Sequence, residues 1–550
     1  MATAKPEVFT RKASGLVRVM SPYSAFVYNI LTMGLIFPWT YLWAPGALPG
    51  GRLVWGILLA MLIEIPIAYV YVWLSSALPR SGGDYVLQSR VFGGATAFTI
   101  VMSGFVIWIL QWVALSGWLV SYLGFAPLFL GLGATLGNAS LSTLGVWFTT
   151  PTGIVIVSIL NALLSLLLLV SGFKNYVRFQ HVMWWGTLLC FATVFLVLFT
   201  TPASEFVARL NAFAVASGGT SNFYETAVAA VQGAGIDLNP PFSLMATLLI
   251  APIAWTSLQW ATYSAQQNGE IKDARSVQAQ TFIMVGSLVV TGLLLALLAV
   301  GLERVAGPEF LYVAGAGYWS LISEATINGF NLWPPILAVA LTGSPLVVLI
   351  IAIGYLLNGF QIVCNCYIGM TRVMVAMSLD RLLPEWISKV DEKLHTPVNA
   401  HWAYFLASIP VILAYNLVPG WIGLTLGVTF GCGYVFVITC IAGALLPYRA
   451  KEVYEASPAA KYKLGNTPLI TVLGVLGGVL GTIMVLAFLF APQLGVLGNW
   501  NFENFPTGLW AQIIAVGIIL ISWVWYVLAK NSQKSRGINV DFAFKEIPPE

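Results

Sequence analysis

Two stretches place residues able to hold a ligand inside an otherwise apolar chain. In residues 19–51, which carry no charge, Asn29, Thr32 and Gly34 fall at mid-span and Pro38 follows. In residues 242–264 the mid-span holds Pro252, Thr256, Ser257, Gln259, Thr262 and Ser264. Proline lacks an N–H and clashes with the carbonyl four residues back, which for Pro38 is that of Gly34. A helix opened at Thr32-Met33-Gly34 exposes N–H and C=O groups, tolerable at membrane depth only where they line a cavity in the protein. Half-helix ends carry partial charges and can hold a small charged ligand, which is binding and not bond-making chemistry. A simple proline kink buried in a bundle fits the first stretch as well. No Ser-His-Asp set or phosphate-binding loop is seen, and Cys364-Asn365-Cys366 has no neighbouring His or carboxylate to make a metal site. An intramembrane enzyme is therefore not indicated.

The elements that must position these residues are membrane helices. Of 550 residues, 59% are hydrophobic and only 8% charged, with a mean hydropathy of +0.86. A soluble chain carries about 25% charged residues. The apolar runs are too long and too many for barrel strands of about 10 residues. Runs bounded by charge or Gly/Pro clusters give twelve spans: 22–44, 53–77, 97–123, 152–171, 179–201, 242–264, 279–301, 345–371, 400–417, 421–446, 467–491 and 508–529. An even number puts both termini on one side. With the N-terminus in the cytoplasm, only Arg52, Arg209 and Arg304 of the 25 basic residues lie outside, as the positive-inside rule asks. The basic, polar start lacks a cleavage pattern, so no secretory signal is expected. All five cysteines fall within apolar spans, so no disulfide framework is implied.

Two external connections, 202–241 and 302–344, are too long for bare hairpins, and the second is apolar enough to dip back as short helices forming a lid. The tail from Lys530 onward reads as short, polar and flexible. Interrupted helices in corresponding positions, the first span and the sixth, are the sign of a five-plus-five inverted repeat with binding at its interface.

Three loop motifs carry a resemblance. After the second span comes Leu78-Pro79-Arg80-Ser81-Gly82-Gly83-Asp84-Tyr85-Val86, then Ser89-Arg90-Val91-Phe92-Gly93. After the sixth comes Gly269-Glu270-Ile271-Lys272-Asp273-Ala274-Arg275. After the eighth come Thr371-Arg372-Val373-Met374, Ala376-Met377-Ser378-Leu379-Asp380-Arg381-Leu382-Leu383-Pro384 and Thr396-Pro397-Val398-Asn399-Ala400. In order and on one side of the membrane, these resemble the cytoplasmic loops of amino acid permeases of the amino acid–polyamine–organocation superfamily. The resemblance implies an all-α integral membrane fold of 12 transmembrane helices, ten of them in the inverted repeat. Helices 1 and 6 would be discontinuous, with two extra C-terminal helices. The divisions expected are a cytoplasmic segment 1–21, repeats 22–201 and 242–446, an external loop 202–241, helices 11 and 12 at 467–529, and a cytoplasmic tail 530–550. The family's first-helix G-S-G is Thr32-Met33-Gly34 here, and the acidic residue before its first loop is Trp73.

The resemblance implies carriage of an amino acid across the plasma membrane by alternating access. A zwitterion needs no charged side chain at such breaks. Its carboxylate meets N–H groups and its ammonium meets free carbonyls. Expected substrate contacts are Asn29, Ile30, Thr32, Met33 and Gly34 on helix 1 and Trp255, Thr256, Ser257 and Gln259 on helix 6. Helix packing is the alternative for each, since small and hydroxyl residues line membrane helix interfaces.

Glu64, the only carboxylate well inside a span, carries a proton or stays protonated and bonds a neighbouring helix. Trp108, Gln111 and Trp112 share a face that walls a substrate pocket or is a lipid or helix-packing surface. His181 and His401 read as interfacial. Aligning Gly172-Phe173-Lys174 and Arg178-Phe179-Gln180 with the family's helix 4–5 connection puts Thr187 where some proton-coupled members carry lysine. A hydroxyl cannot carry that proton but can ligate a hard cation, with Asn358 or Asn365 adding oxygens. No resident cofactor is expected, and any coupling ion is sodium before proton, the alternative being uncoupled exchange. The expected partners are an amino acid and the lipid bilayer, with no nucleic acid. Other readings are an amine or polyamine carrier, for which only Glu64 is available as an intramembrane acid, a channel, and a non-transporting nutrient sensor on the same fold.

Overall fold

A computed structural model describes residues 14–35 and 44–544. Among them, eleven helices are long and apolar enough to cross a membrane. The first span does not qualify. Its helix, α1 (Pro22–Met33), begins at an N-cap whose Ser21 side chain accepts the Ser24 N–H, with proline in the first turn. It stops after 12 residues, about 18 Å at 1.5 Å per residue. Gly34 follows at φ 77°, ψ 104°, a backbone conformation that glycine adopts without strain. Pro38 lies outside the described residues.

The spanning helices are α2 (Leu53–Ala77), α3 (Gly94–Leu136), α4 (Pro151–Val170), α5 (Phe173–Thr200), α6 (Leu244–Glu270), α7 (Val277–Trp319), α8 (Pro345–Leu379), α9 (Val398–Leu417), α10 (Trp421–Arg449), α11 (Leu469–Phe490) and α12 (Thr507–Ser535). Helix α3 is longer than its apolar run and contains two π turns, Met102–Ile107 and Val120–Phe125.

The expected loop 302–344 is largely helix. Helix α7 kinks at Gly307 (φ 78°, ψ 150°), and a separate helical segment that starts at Pro308 runs on to Trp319. A short helix, Pro334–Ala340, follows. Residues 202–241 also fold, into Phe206–Ala216 and Phe223–Gly233. The two connections meet where the Arg209 guanidinium donates to the Leu341 carbonyl and Asn328 Nδ2 donates to the Ser217 carbonyl at 3.3 Å.

The described tail is packed, not loose. Val540, Ala543 and Phe544 are buried, and Lys530 Nζ lies 2.8 Å from Asp541 Oδ1. The Phe544 ring seats on Gly94, where a Cβ would come within 2.2 Å of Cζ. Apolar side chains in a polar tail are thus used as an anchor.

Candidate functional site

The two interruptions meet. Helix α6 is α-helical over Leu244–Leu258, with Pro252 inside it, and then tightens to a 3₁₀ segment, Gln259–Glu270. The Ser257 hydroxyl, just before that change, donates to the carbonyl of Met33 at the end of α1. Ile30 offers its carbonyl to the Gly34 N–H at 2.9 Å. Asn29 binds the two helices together. Its Nδ2 is 2.6 Å from the Ala261 carbonyl, 3.0 Å from Ser264 Oγ and 3.2 Å from the Ile283 carbonyl. Its Oδ1 accepts the Ser264 N–H at 3.0 Å. Both ends of that amide are engaged within the protein.

A second network ties α1 to α5 and α8. Thr32 Oγ1 donates to the Tyr28 carbonyl at 2.6 Å and accepts from Asn365 Nδ2 at 2.6 Å. Asn365 Oδ1 faces the Tyr176 hydroxyl at 2.6 Å and accepts from Gln361 Nε2 at 2.7 Å. Asn358 Nδ2 donates to the Leu31 carbonyl at 3.3 Å. Thus Asn358 and Asn365 both reach the last turns of α1. Thr187 is buried on α5 with no hydrogen-bond partner for its hydroxyl. It lies one turn before Cys190, whose Cβ would be 2.0 Å from a Cβ added at Gly354, so α5 and α8 are in backbone contact there.

On α6, Thr256 accepts from Thr429 Oγ1 of α10 at 3.0 Å, and its carbonyl accepts from the Trp260 indole at 2.9 Å. Trp255 turns the other way and donates Nε1 to Glu64 Oε2 of α2 at 2.6 Å. Gln259 is wholly buried, and neither amide atom has a hydrogen-bond partner among the described residues. An amide left so costs stability unless something else satisfies it. Of the expected contacts, Gln259 alone keeps both polar side-chain atoms unused.

Aromatic side chains surround the 3₁₀ segment. The Trp260 ring meets Trp112 edge-on at 5.8 Å, Tyr263 at 5.1 Å and Phe436 at 6.2 Å between centroids. The α3 face of Trp108, Gln111 and Trp112 is buried, Gln111 accepting the Trp421 indole at 2.9 Å. It packs inside the protein and not against lipid. Trp260, Thr429, Tyr176 and Gln361 were missed as site residues. Trp260 sits one residue beyond Gln259, and its tryptophan in a polar run was the available signal.

The three loop motifs interlock at one end of these helices. Glu270 and Arg372, both fully buried, form a bidentate pair with Nε–Oε2 at 2.7 Å and Nη2–Oε1 at 2.9 Å. The guanidinium also lies 4.8 Å over the Phe173 ring and 3.2 Å from His401 Nε2. His401 is therefore a buried partner, correcting the interfacial reading. The Glu270 carbonyl takes the N–H groups of Val19 and Met20, each at 3.0 Å, and Lys272 N–H donates to the Met20 carbonyl at 2.8 Å. Asp84, in the loop helix Gly83–Phe92, accepts from Tyr71, from Gln266 Nε2 at 2.6 Å and from Thr439 Oγ1 at 2.5 Å. Burial pushes its carboxyl pKa up, and these three hydrogen bonds pull against it. Tyr85 donates to Asp380 Oδ2 at 2.8 Å.

A family model described as amino acid permease matches residues 22–521. One curated relative, uncharacterized protein 399 of Sulfolobus islandicus rod-shaped virus 1, is 29% identical over 83 residues. That match covers 15% of this chain and 21% of the viral protein, so the chain spans about a fifth of that relative's length.

Proposed function

This multi-pass membrane protein belongs to the amino acid permease family, whose members are transporters and not enzymes, and from that premise we propose that it carries an amino acid by alternating access at the α1/α6 breaks. The observation that supports this best is Ser257 meeting the Met33 carbonyl beside the unpartnered amide of Gln259. Gly34 has no Cβ to shield the backbone at the end of α1, and the C-terminal end of that helix carries a partial negative charge that suits an ammonium group. On this reading the buried Glu270–Arg372 pair ties together the loop-motif end of the helices, and rocking of a helix bundle would have to part it.

The reading includes a five-plus-five inverted repeat over 22–201 and 242–446, the plasma membrane as its location, and both termini in the cytoplasm. It also keeps sodium dependence or uncoupled exchange, with no proton carried on α5. A buried, unpartnered Thr187 hydroxyl beside the α5/α8 contact supports an oxygen ligand there. Carriage of amines would call on Glu64, which is bonded to Trp255 on the α2 side of α6.

A thermal-shift screen of the purified protein against all common amino acids tests the proposal. A ligand that binds only the folded state raises the melting temperature. Stabilisation by a subset of amino acids is expected. Stabilisation by polyamines and by no amino acid would move the reading to an amine carrier.

A further inference from the structure

Glu64 is fully buried in α2, and its two carboxyl oxygens are treated unequally. Oε2 accepts the Trp255 indole N–H at 2.6 Å, while Oε1 has no hydrogen-bond partner. Among the described residues no cation compensates it. From α6 the group facing it is Trp255, and from α10 the titratable neighbour is the buried thiol of Cys440. Helices α7 and α11 bring glycines against α2, Gly292 at Met61 and Gly477 at Ile67. An uncompensated charge at membrane depth costs several kcal/mol, so this arrangement holds the carboxylic acid and not the carboxylate. The indole that touches it belongs to Trp255, two residues before Ser257 and four before the point where α6 changes its winding. Any shift of that half-helix moves the only hydrogen bond the carboxyl has among the described residues and alters its access to water.

We propose that Glu64 is a proton-binding site whose occupancy changes as α6 moves, the carboxyl holding H⁺ in the present arrangement and releasing it as the carboxylate when α6 shifts. This rests on the reading that α6 moves during transport. The site is separate from Thr187, which lies on α5, and a proton here neither requires nor excludes a cation there.

Two measurements test it. Infrared difference spectra of the purified protein at acid and alkaline pH are expected to show a titrating carbonyl band of a protonated carboxylic acid, lost in Glu64→Gln. That variant keeps an acceptor oxygen for the indole, so the fold is expected to survive. Trp255→Phe keeps the carboxyl, removes its donor, and is expected to displace the pH at which the band titrates. In proteoliposomes with equal sodium inside and out, uptake of a tritiated mixture of the common amino acids is expected to rise when the interior is made alkaline, and Glu64→Gln is expected to abolish that response. An unchanged band in Glu64→Gln overturns the proposal. So does parent uptake that proceeds but ignores the pH gradient. A titrating, Glu64-dependent band in a protein that moves no amino acid supports the proton site and counts against the transport reading alone.

Discussion

Asn29 and Ser264 exchange two hydrogen bonds, amide to hydroxyl and backbone N–H to amide oxygen, each 3.0 Å long. The pair joins the middle of α1 to the 3₁₀ part of α6. Asn29→Leu leaves the Ser264 N–H and the Ala261 carbonyl short of a partner, at a cost of about 1–3 kcal/mol. Ser264→Ala keeps the N–H contact and costs about 0.6 kcal/mol. Thermal unfolding in detergent checks the order; equal melting temperatures for the two variants would remove Asn29 as the link.

Gly34→Val is expected to abolish amino acid binding in a protein that still folds. The residue sits at φ 77°, where a β-branched side chain costs about 1–3 kcal/mol. Its added methyl groups also intrude where a carboxylate would approach the backbone. Affinity of the purified variant is the measurement, and unchanged affinity would reduce the break to a kink.

Removing one member of the buried Glu270–Arg372 pair strands the other. Arg372→Ala and Glu270→Ala are each expected to cost about 3–5 kcal/mol. The double variant is expected to lose much less than their sum. A double-mutant cycle on unfolding reads the coupling directly, and strict additivity would show that the pair does not hold this end shut.

Asp84 gives a pH dependence whose expected sign follows from its burial. An unfolded aspartate titrates near about 3.9, and burial puts the folded value above that. The folded chain then binds more protons between the two values, so stability falls as pH rises from the unfolded value through the folded one. Asp84→Asn is expected to flatten that part of the curve. Melting temperatures of parent and variant measured from acid to neutral pH test it, and parallel curves would contradict it.

Topology is best probed away from Ser89 and Ser217, which are both buried. Lys393 and Asp237 are exposed. Single cysteines at those two positions are expected to react from opposite faces of sealed cells. All five native cysteines are buried and free, so their background reactivity is low. An impermeant reagent that labels both sites from outside would overturn the arrangement.

The apolar runs located the helices well where charge marked their ends, as at Leu53–Ala77. The run 279–301 stops a few residues short of the kink at Gly307, because Glu303 and Arg304 read as the start of a loop. Arg304 lies in the last turn before that kink and donates to the carbonyls of Leu198 and Thr201, at 3.0 and 3.1 Å. The break after Met33 was legible because Gly34 and the polar residues before it are local signals. Contacts such as Thr32 with Asn365, or Glu64 with Trp255, join residues far apart in the chain, and no local pattern encodes which polar group meets which. The Phe544 anchor on Gly94 was hidden for the same reason.

The short pairing of Met20 with Ile271 makes a rivet of what would otherwise be two loose ends. The start of α1 and the exit of α6 are fastened through backbone groups, which no substitution other than proline removes. The two segments are therefore expected to move as one arm of a lever and not as two independent doors, and a spectroscopic probe on either strand is expected to report the same time course.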